Sequence, residues 1–207
     1  MPDAKKTEKI KHRYNRIAKL YDVVEKPMEN MFSKHRKEML RNACGNVLEV
    51  GVGTGKNFHY YPDNVEVTAI DFSPKMVKIA SEKAKDLKNI KDVLEMNVEN
   101  MTFADNTFDT VVTSCVFCSV PHPVKVLKEI KRVCKNGGKV LMLEHVKSNK
   151  PVLAPFMDIL NPVPFHLYGA NINRDTVDNL RKAGFKNIFV EDLWLDILKL
   201  ITIRNDK

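Results

Sequence analysis

The chain has 207 residues, 43% of them hydrophobic and 29% charged, enough for a sizeable core. That excludes a disordered tail, a collagenous repeat and a disulfide miniprotein, and favours one domain with an appendage. No apolar run approaches the roughly 18 residues of a membrane span, and the lysine-rich N-terminus leads into no signal-peptide block. A cytoplasmic compartment is expected, with Cys44, Cys115, Cys118 and Cys134 as free thiols. Net charge is +8, yet residues 1–42 alone hold twelve Lys or Arg against six Asp or Glu. A basic segment on a nearly neutral body does not suggest a nucleic-acid partner.

From Lys5 to Asp22, Ile10, Tyr14, Ile17 and Tyr21 recur at helical spacing and make one apolar stripe among basic residues. Such a stripe predicts either peripheral attachment of residues 1–26 to an anionic membrane or packing onto the body. Pro27 is expected to interrupt it, and Met28 to Arg41 forms a second helix bringing Met31, Phe32, Met39 and Leu40.

Beyond Gly45 the period changes. Short apolar runs at Val47–Val50, Val65–Ile70, Val93–Met96, Thr110–Thr113 and Lys139–His145 read as strands, with helical patterns at 74–88 and 123–134 between them. Strands alternating with helices predict a parallel sheet covered on both faces. In the second helix Pro123 takes the first position, Val126, Leu127, Ile130 and Val133 face the sheet, and Gly137 and Gly138 make the turn out. Pro151, Pro155, Pro162 and Pro164 break up residues 147–172, a loop-rich candidate lid. Asn173–Ala183 reads as a helix, and Ile188–Trp194 with Leu198–Arg204 as a closing antiparallel hairpin.

The most informative segment is Leu48-Glu49-Val50-Gly51-Val52-Gly53-Thr54-Gly55, a strand running into three alternating glycines. Glycine permits positive φ and close approach of a ligand, and the carboxyl end of the first parallel strand is where an open α/β sheet binds its cofactor. Asp71 ends the second strand, where a carboxylate can accept both hydroxyls of a ribose. The G-x-G-x-G spacing lacks the extra residue a pyrophosphate binder uses, so the loop suits a ligand without phosphate.

Together with Asn97-Val98-Glu99-Asn100-Met101, Phe108-Asp109-Thr110-Val111-Val112 and Leu127-Lys128-Glu129-Ile130-Lys131-Arg132-Val133 before Gly137-Gly138, these motifs resemble the class I S-adenosylmethionine-dependent methyltransferases over residues 46–146. The resemblance implies a Rossmann-like, seven-stranded, mostly parallel sheet with helices on both faces and a closing antiparallel strand. Residues 1–42 would form an N-terminal helical cap and residues 43–207 the methyltransferase domain. S-adenosylmethionine would be held by Glu49, Gly51, Gly53, Gly55, Asp71, Phe72, Met76, Asn97, Val98 and Ser114. In this scheme the glycines pass the methionine moiety, Asp71 holds the ribose, Phe72 and Met76 flank the adenine, and Asn97 with Val98 meets its edge. Tyr14, Tyr21, His166 and Tyr168 would line the acceptor site.

Within the class, the glycine segment is similar to bacterial phosphatidylethanolamine N-methyltransferases. Cys118-Ser119-Val120 and Leu143-Glu144-His145-Val146 are similar to thiol S-methyltransferases, and Tyr14-x-x-Ile17-Ala18-x-x-Tyr21-Asp22 to the ubiquinone/menaquinone C-methyltransferases. Glu144 departs from the asparagine usual in the phospholipid enzymes. The implied function is methyl transfer to a small or lipid-borne nucleophile, a head-group amine or a thiol. Alternatives are a quinone-precursor C-methyltransferase, an RNA methyltransferase, and a non-catalytic S-adenosylmethionine-binding regulator.

His145 is the candidate catalytic residue, because a histidine ending the fifth strand sits beside the crevice and titrates near neutral pH; the alternative is a histidine bonded at a strand end. Cys115-Val116-Phe117-Cys118 reads as buried thiols, since zinc needs about four ligands and no second pair has the spacing. No metal is expected.

Overall fold

The computed structural model describes residues 2–151, 153–162 and 171–207. Seven strands are formed: β1 (Asn46–Val50), β2 (Glu66–Asp71), β3 (Ile90–Glu95), β4 (Phe108–Ser114), β5 (Cys134–His145), β6 (Asn187–Trp194) and β7 (Leu198–Arg204). They make one sheet of order β3-β2-β1-β4-β5-β7-β6. Pairings from β3 through β5 are parallel, with Leu48 opposite Thr68 on one side and Val111 on the other. β7 runs antiparallel to both β5 and β6. This is the expected Rossmann-like architecture. β1 and β4 are central strands with both faces covered, so nearly every residue is buried, the polar Glu49, Thr110 and Thr113 included.

Chain order reverses between β1 and β4, so the connections leave to opposite sides and a crevice opens at the carboxyl ends of these strands. Helix α3 (Pro74–Ala84) starts at Ser73, whose hydroxyl accepts the Met76 N–H at 3.3 Å, with Pro74 at the first position. It ends short of the predicted 88 in a turn where the Leu87 N–H reaches the Ala84 carbonyl. Helix α4 (Pro123–Val133) buries Val126, Leu127, Ile130 and Val133 completely. Its Glu129 accepts the Met101 N–H and its Arg132 donates to the Met101 carbonyl, both at 2.9 Å. The segment after β3 is thereby fixed beside the crevice.

Several boundaries differ from expectation. Gly137 and Gly138 lie inside β5, where the pairing with β4 shifts register and Gly137 adopts φ +75°. The glycines thus shape an irregular strand start instead of a free turn. The first helix, α1 (Pro2–Ile17), ends before Asp22, and α2 (Tyr21–Leu40) runs through Pro27. The break falls at Ala18–Leu20, where the Leu20 N–H bonds the Ile17 carbonyl. Proline costs α2 only the bond to the Val23 carbonyl, and Val23 is itself exposed, so water can replace it.

The apolar stripe of α1 faces the body. Ile10 is buried, Asn15 accepts the Ser73 hydroxyl at 2.8 Å, and Lys11 pairs with Glu95 at 2.6 Å.

The expected loop-rich segment carries a helix despite its prolines, α5 (Leu153–Leu160). Pro155 falls in its first turn, where N–H groups have no intrahelical partner. The last helix, α6 (Thr176–Lys182), begins later than predicted because Asp175 caps it by accepting the Asp178 N–H at 2.9 Å. Among the described residues no helix is long and apolar enough to cross a membrane.

Candidate functional site

At the carboxyl ends of β1, β2, β4 and β5 lie two adjoining cavities that share Tyr14, Tyr21, Gly51, Gly53, Ser114 and Cys115. The first, of about 80 Å³, is lined also by Asp71, Phe72, Met76, Asn97 and Val98. The second, of about 300 Å³, is lined also by Arg36, Glu49, Asn57, Cys118 and His145. Nearly every residue expected to hold the cofactor therefore falls on one continuous wall.

The three glycines have different reasons to be glycine. A Cβ on Gly51 would come within 2.6 Å of Val116, and one on Gly55 within 2.7 Å of the Phe58 ring. Those two are needed for packing, and Gly55 lines neither of the two cavities. A Cβ on Gly53 would meet nothing within 4 Å. Gly53 adopts φ +55° and lines both cavities, so its bare backbone leaves room for a ligand. The loop fits the close approach that S-adenosylmethionine requires.

Asp71 is buried and accepts the Gly53 N–H and the Ser73 N–H, each at 2.9 Å, so the carboxylate fixes the loop and faces the first cavity. Burial raises its pKa against these hydrogen bonds. Phe72 stands edge-on to Tyr14 at 5.9 Å between ring centres, and Met76 is buried beneath. Asn97 turns its side-chain oxygen to the Glu99 N–H at 2.9 Å, which occupies one of the two lone pairs an adenine amine could use.

Glu49 is the end of a buried polar chain. Its carboxylate accepts from Asn57 Nδ2 at 2.8 Å and the Tyr61 hydroxyl at 2.9 Å. Asn57 Nδ2 also reaches Ser114 Oγ at 3.1 Å, and Asn57 Oδ1 accepts from Arg36 at 2.9 Å. Burial pushes the Glu49 carboxyl up to about 7. Arg36 is a buried guanidinium on the second cavity, a charge-assisted donor for an anionic group there. Sequence reasoning missed it, although Phe32, Arg36, Met39 and Leu40 form one buried helical stripe in which a lone arginine is the signal.

Glu144 was also missed as a site residue. Fully buried, it accepts the Thr113 hydroxyl at 2.7 Å and the Val116 and Phe117 N–H groups at 3.2 Å. Burial pushes its carboxyl up to about 7 against those three bonds. It pins the loop after β4, which carries Cys115, Cys118 and Ser119. Cys115 takes φ +55°, unusual for a residue with a Cβ, at the point where that loop enters the site. Cys118 is buried and its thiol donates to the Cys115 carbonyl at 3.2 Å.

His145 ends β5 and lines the second cavity, as placed from the sequence. Its Nδ1 is buried and, among the described residues, has no hydrogen-bond partner. Burial lowers its pKa, which keeps the ring neutral. Tyr14 and Tyr21 pack 6.1 Å apart and line both cavities. The expected acceptor residues His166 and Tyr168 lie outside the described residues.

Comparison with known proteins agrees with this geometry. Residues 48–142 match the methyltransferase domain family. The chain is 31% identical to the thiol S-methyltransferase TMT1B of Rattus norvegicus over 84% of its own length and 73% of that protein. It is 43% identical to the phosphatidylethanolamine N-methyltransferase of Cereibacter sphaeroides over 53% of its length, spanning 55% of that protein. A SAM-dependent methyltransferase of Thermotoga maritima superposes with TM-score 0.71 at 20% identity, over 95% of this chain and 100% of the other. The [4+2]-cyclase SpnF shares the fold at TM-score 0.68 and 21% identity, over 85% and 80%. The fold alone therefore does not specify the reaction.

The chain belongs to the class I S-adenosylmethionine-dependent methyltransferases. It is a methyltransferase enzyme whose cofactor is S-adenosylmethionine.

Proposed function

We propose that the methyl acceptor is a small or lipid-borne amine or thiol, admitted to the second cavity, and that His145 is the base that removes its proton. The observation that carries this reading is a neutral, part-buried histidine, its Nδ1 without a hydrogen-bond partner among the described residues, on a cavity that adjoins the glycine loop. The likeness to a thiol S-methyltransferase and a phosphatidylethanolamine N-methyltransferase supports it.

S-adenosylmethionine supplies a sulfonium methyl that is already activated, so the protein must hold a deprotonated nucleophile in line and away from water. Asp71 would hold the ribose, Phe72 and Met76 the adenine, and Gly53 the backbone approach. Arg36, braced by Asn57, would take the cofactor's carboxylate. Tyr14 and Tyr21 exclude water, with residues 1–42 acting as a helical cap over a body of residues 43–207. An ammonium or thiol gives its proton to the His145 ring as it comes to attack.

The test is incubation of the purified chain with labelled S-adenosylmethionine and a panel of phospholipid, thiol, quinone and RNA acceptors. Label in the phospholipid or thiol supports the reading. Label confined to quinone or RNA, or to none of the four, overturns it.

A further inference from the structure

Helix α5 is oriented against the usual rule for a surface helix. Met157 faces inward, buried, with its sulfur 3.4 Å from the Ser148 nitrogen. Asp158 is tied to Lys147 at 2.6 Å and to Asn173 at 2.9 Å. The large apolar side chains point out: Phe156 is 56% and Ile159 74% exposed, with Leu160 beside them. A globular helix normally buries such a face. The turn between α1 and α2 and the first turn of α2 do the same, with Leu20 63% and Val23 68% exposed.

Both patches border the second cavity. Leu20 and Val23 flank Tyr21, which lines it. At the other side, Asn161, the residue after Leu160, accepts the N–H of Ile172 at 2.8 Å, and Ile172 lines the same cavity. Exposed Lys19 and Lys26 accompany Leu20 and Val23, and exposed Lys150 sits at the start of α5, its carbonyl accepting the Ala154 N–H. Apolar side chains rimmed by lysine around a cavity entrance have the chemistry of an interfacial site for an anionic bilayer.

We propose that Leu20, Val23, Phe156, Ile159 and Leu160 form a docking surface for anionic phospholipid, which lays the second cavity against the bilayer. The stripe of Ile10, Tyr14 and Ile17 is not this surface, because it is turned to the body and the cavities. The inference extends the acceptor reading, as a lipid-borne acceptor would enter without crossing water, but it is read independently of methyl transfer.

The test is sedimentation of the full chain with phosphatidylcholine vesicles containing or lacking phosphatidylglycerol. Wild type is expected to partition onto the anionic vesicles and to leave them in 0.5 M salt, a concentration at which the screening length is only about 4 Å. Phe156→Ser/Ile159→Ser and Leu20→Ser/Val23→Ser should each reduce partitioning about tenfold or more. Phe189→Ser, on the edge strand β6 opposite Thr202 and away from the His145 end of the sheet, should leave it unchanged. S-adenosylmethionine binding measured on every variant reports that it is folded. Equal partitioning of wild type and both rim variants overturns the proposal, as does absence of wild-type binding. Loss of self-association in the rim variants without any vesicle binding also overturns it, assigning the surface to contact between copies. Failure of the acceptor panel leaves vesicle binding intact, so the two readings fail separately.

Discussion

The Tyr14 hydroxyl lies 2.5 Å from Ser119 Oγ, joining α1 to the loop after β4 across the site. With the Tyr14–Phe72 edge contact, this bond is one of the ties that hold the aromatic wall of both cavities in place. Tyr14→Phe keeps the ring and removes the bond. A net hydrogen bond is worth about 0.5 to 1.5 kcal/mol, so stability in urea denaturation should fall by about that amount, and S-adenosylmethionine affinity by calorimetry should fall as the wall loosens. Unchanged affinity would show that the contact does not close the site.

Asp71 and Gly53 should fail in different ways. Asp71→Ala removes the acceptor of the Gly53 and Ser73 N–H groups as well as the ribose contact. Each charged hydrogen bond lost costs about 1.5 to 3 kcal/mol, so cofactor affinity should drop at least tenfold with some loss of stability. Gly53→Arg meets open space within the protein. It should fold with only the strain of its positive φ, about 1 kcal/mol, while its side chain fills the cofactor's place and abolishes binding. If Gly53→Arg binds the cofactor normally, the loop is not the binding element.

Glu144 should make stability depend on pH in an unusual direction. Its folded carboxyl sits at about 7, against an ordinary 4.5, so the folded state holds its proton more tightly than the unfolded state. Stability contributed by this group is therefore greatest below pH 4.5, declines as pH rises to 7 and is level above. A change of that size amounts to about 3 kcal/mol across the window. Glu144→Gln removes the titration and places an amide against the Val116 and Phe117 N–H groups. The variant should be less stable than wild type at pH 5, and the gap should narrow toward pH 7 in urea denaturation. A gap that is constant with pH would mean that Glu144 is charged throughout.

What was legible in the sequence was local. Runs such as Val47–Val50, apolar but for Glu49, and Leu141–Leu143 are dictated by burial on both faces, and the Ser73-Pro74 start of α3 is written in adjacent residues. The glycine loop was legible as a loop, but only the space around each Cβ separates Gly53 from Gly51 and Gly55. The break between α1 and α2 was misplaced because Pro27 is a local signal, whereas the turn at Ala18–Leu20 lets Tyr14 and Tyr21 meet at one wall. Tyr14 and Ser119 are 105 positions apart, and no periodicity pairs them. Arg36 and Glu144 were detectable as charges in buried patterns, yet their partners Asn57 and Thr113 belong to other elements.

His145 gives the sharpest functional expectation. It stands at the end of β5 on the second cavity, and burial holds its pKa below 6.5, so the ring is neutral and able to accept a proton at pH 7. Although Arg36 on the second cavity would meet the cofactor's carboxylate, His145 does not line the first cavity, where Asp71, Phe72 and Met76 would hold the adenosine. His145→Ala should thus lower the turnover rate by about 10²- to 10⁴-fold, the usual worth of a placed base, while cofactor affinity by calorimetry stays nearly unchanged. Raising the pH should partly restore the variant as more of a thiol or amine acceptor loses its proton in solution. In wild type the rate should fall only as pH drops through the lowered histidine pKa, since below it the ring already carries the proton. Full turnover in His145→Ala would reduce the histidine to a strand-end residue, and a collapse of cofactor affinity would mean that it serves the cofactor instead of the acceptor.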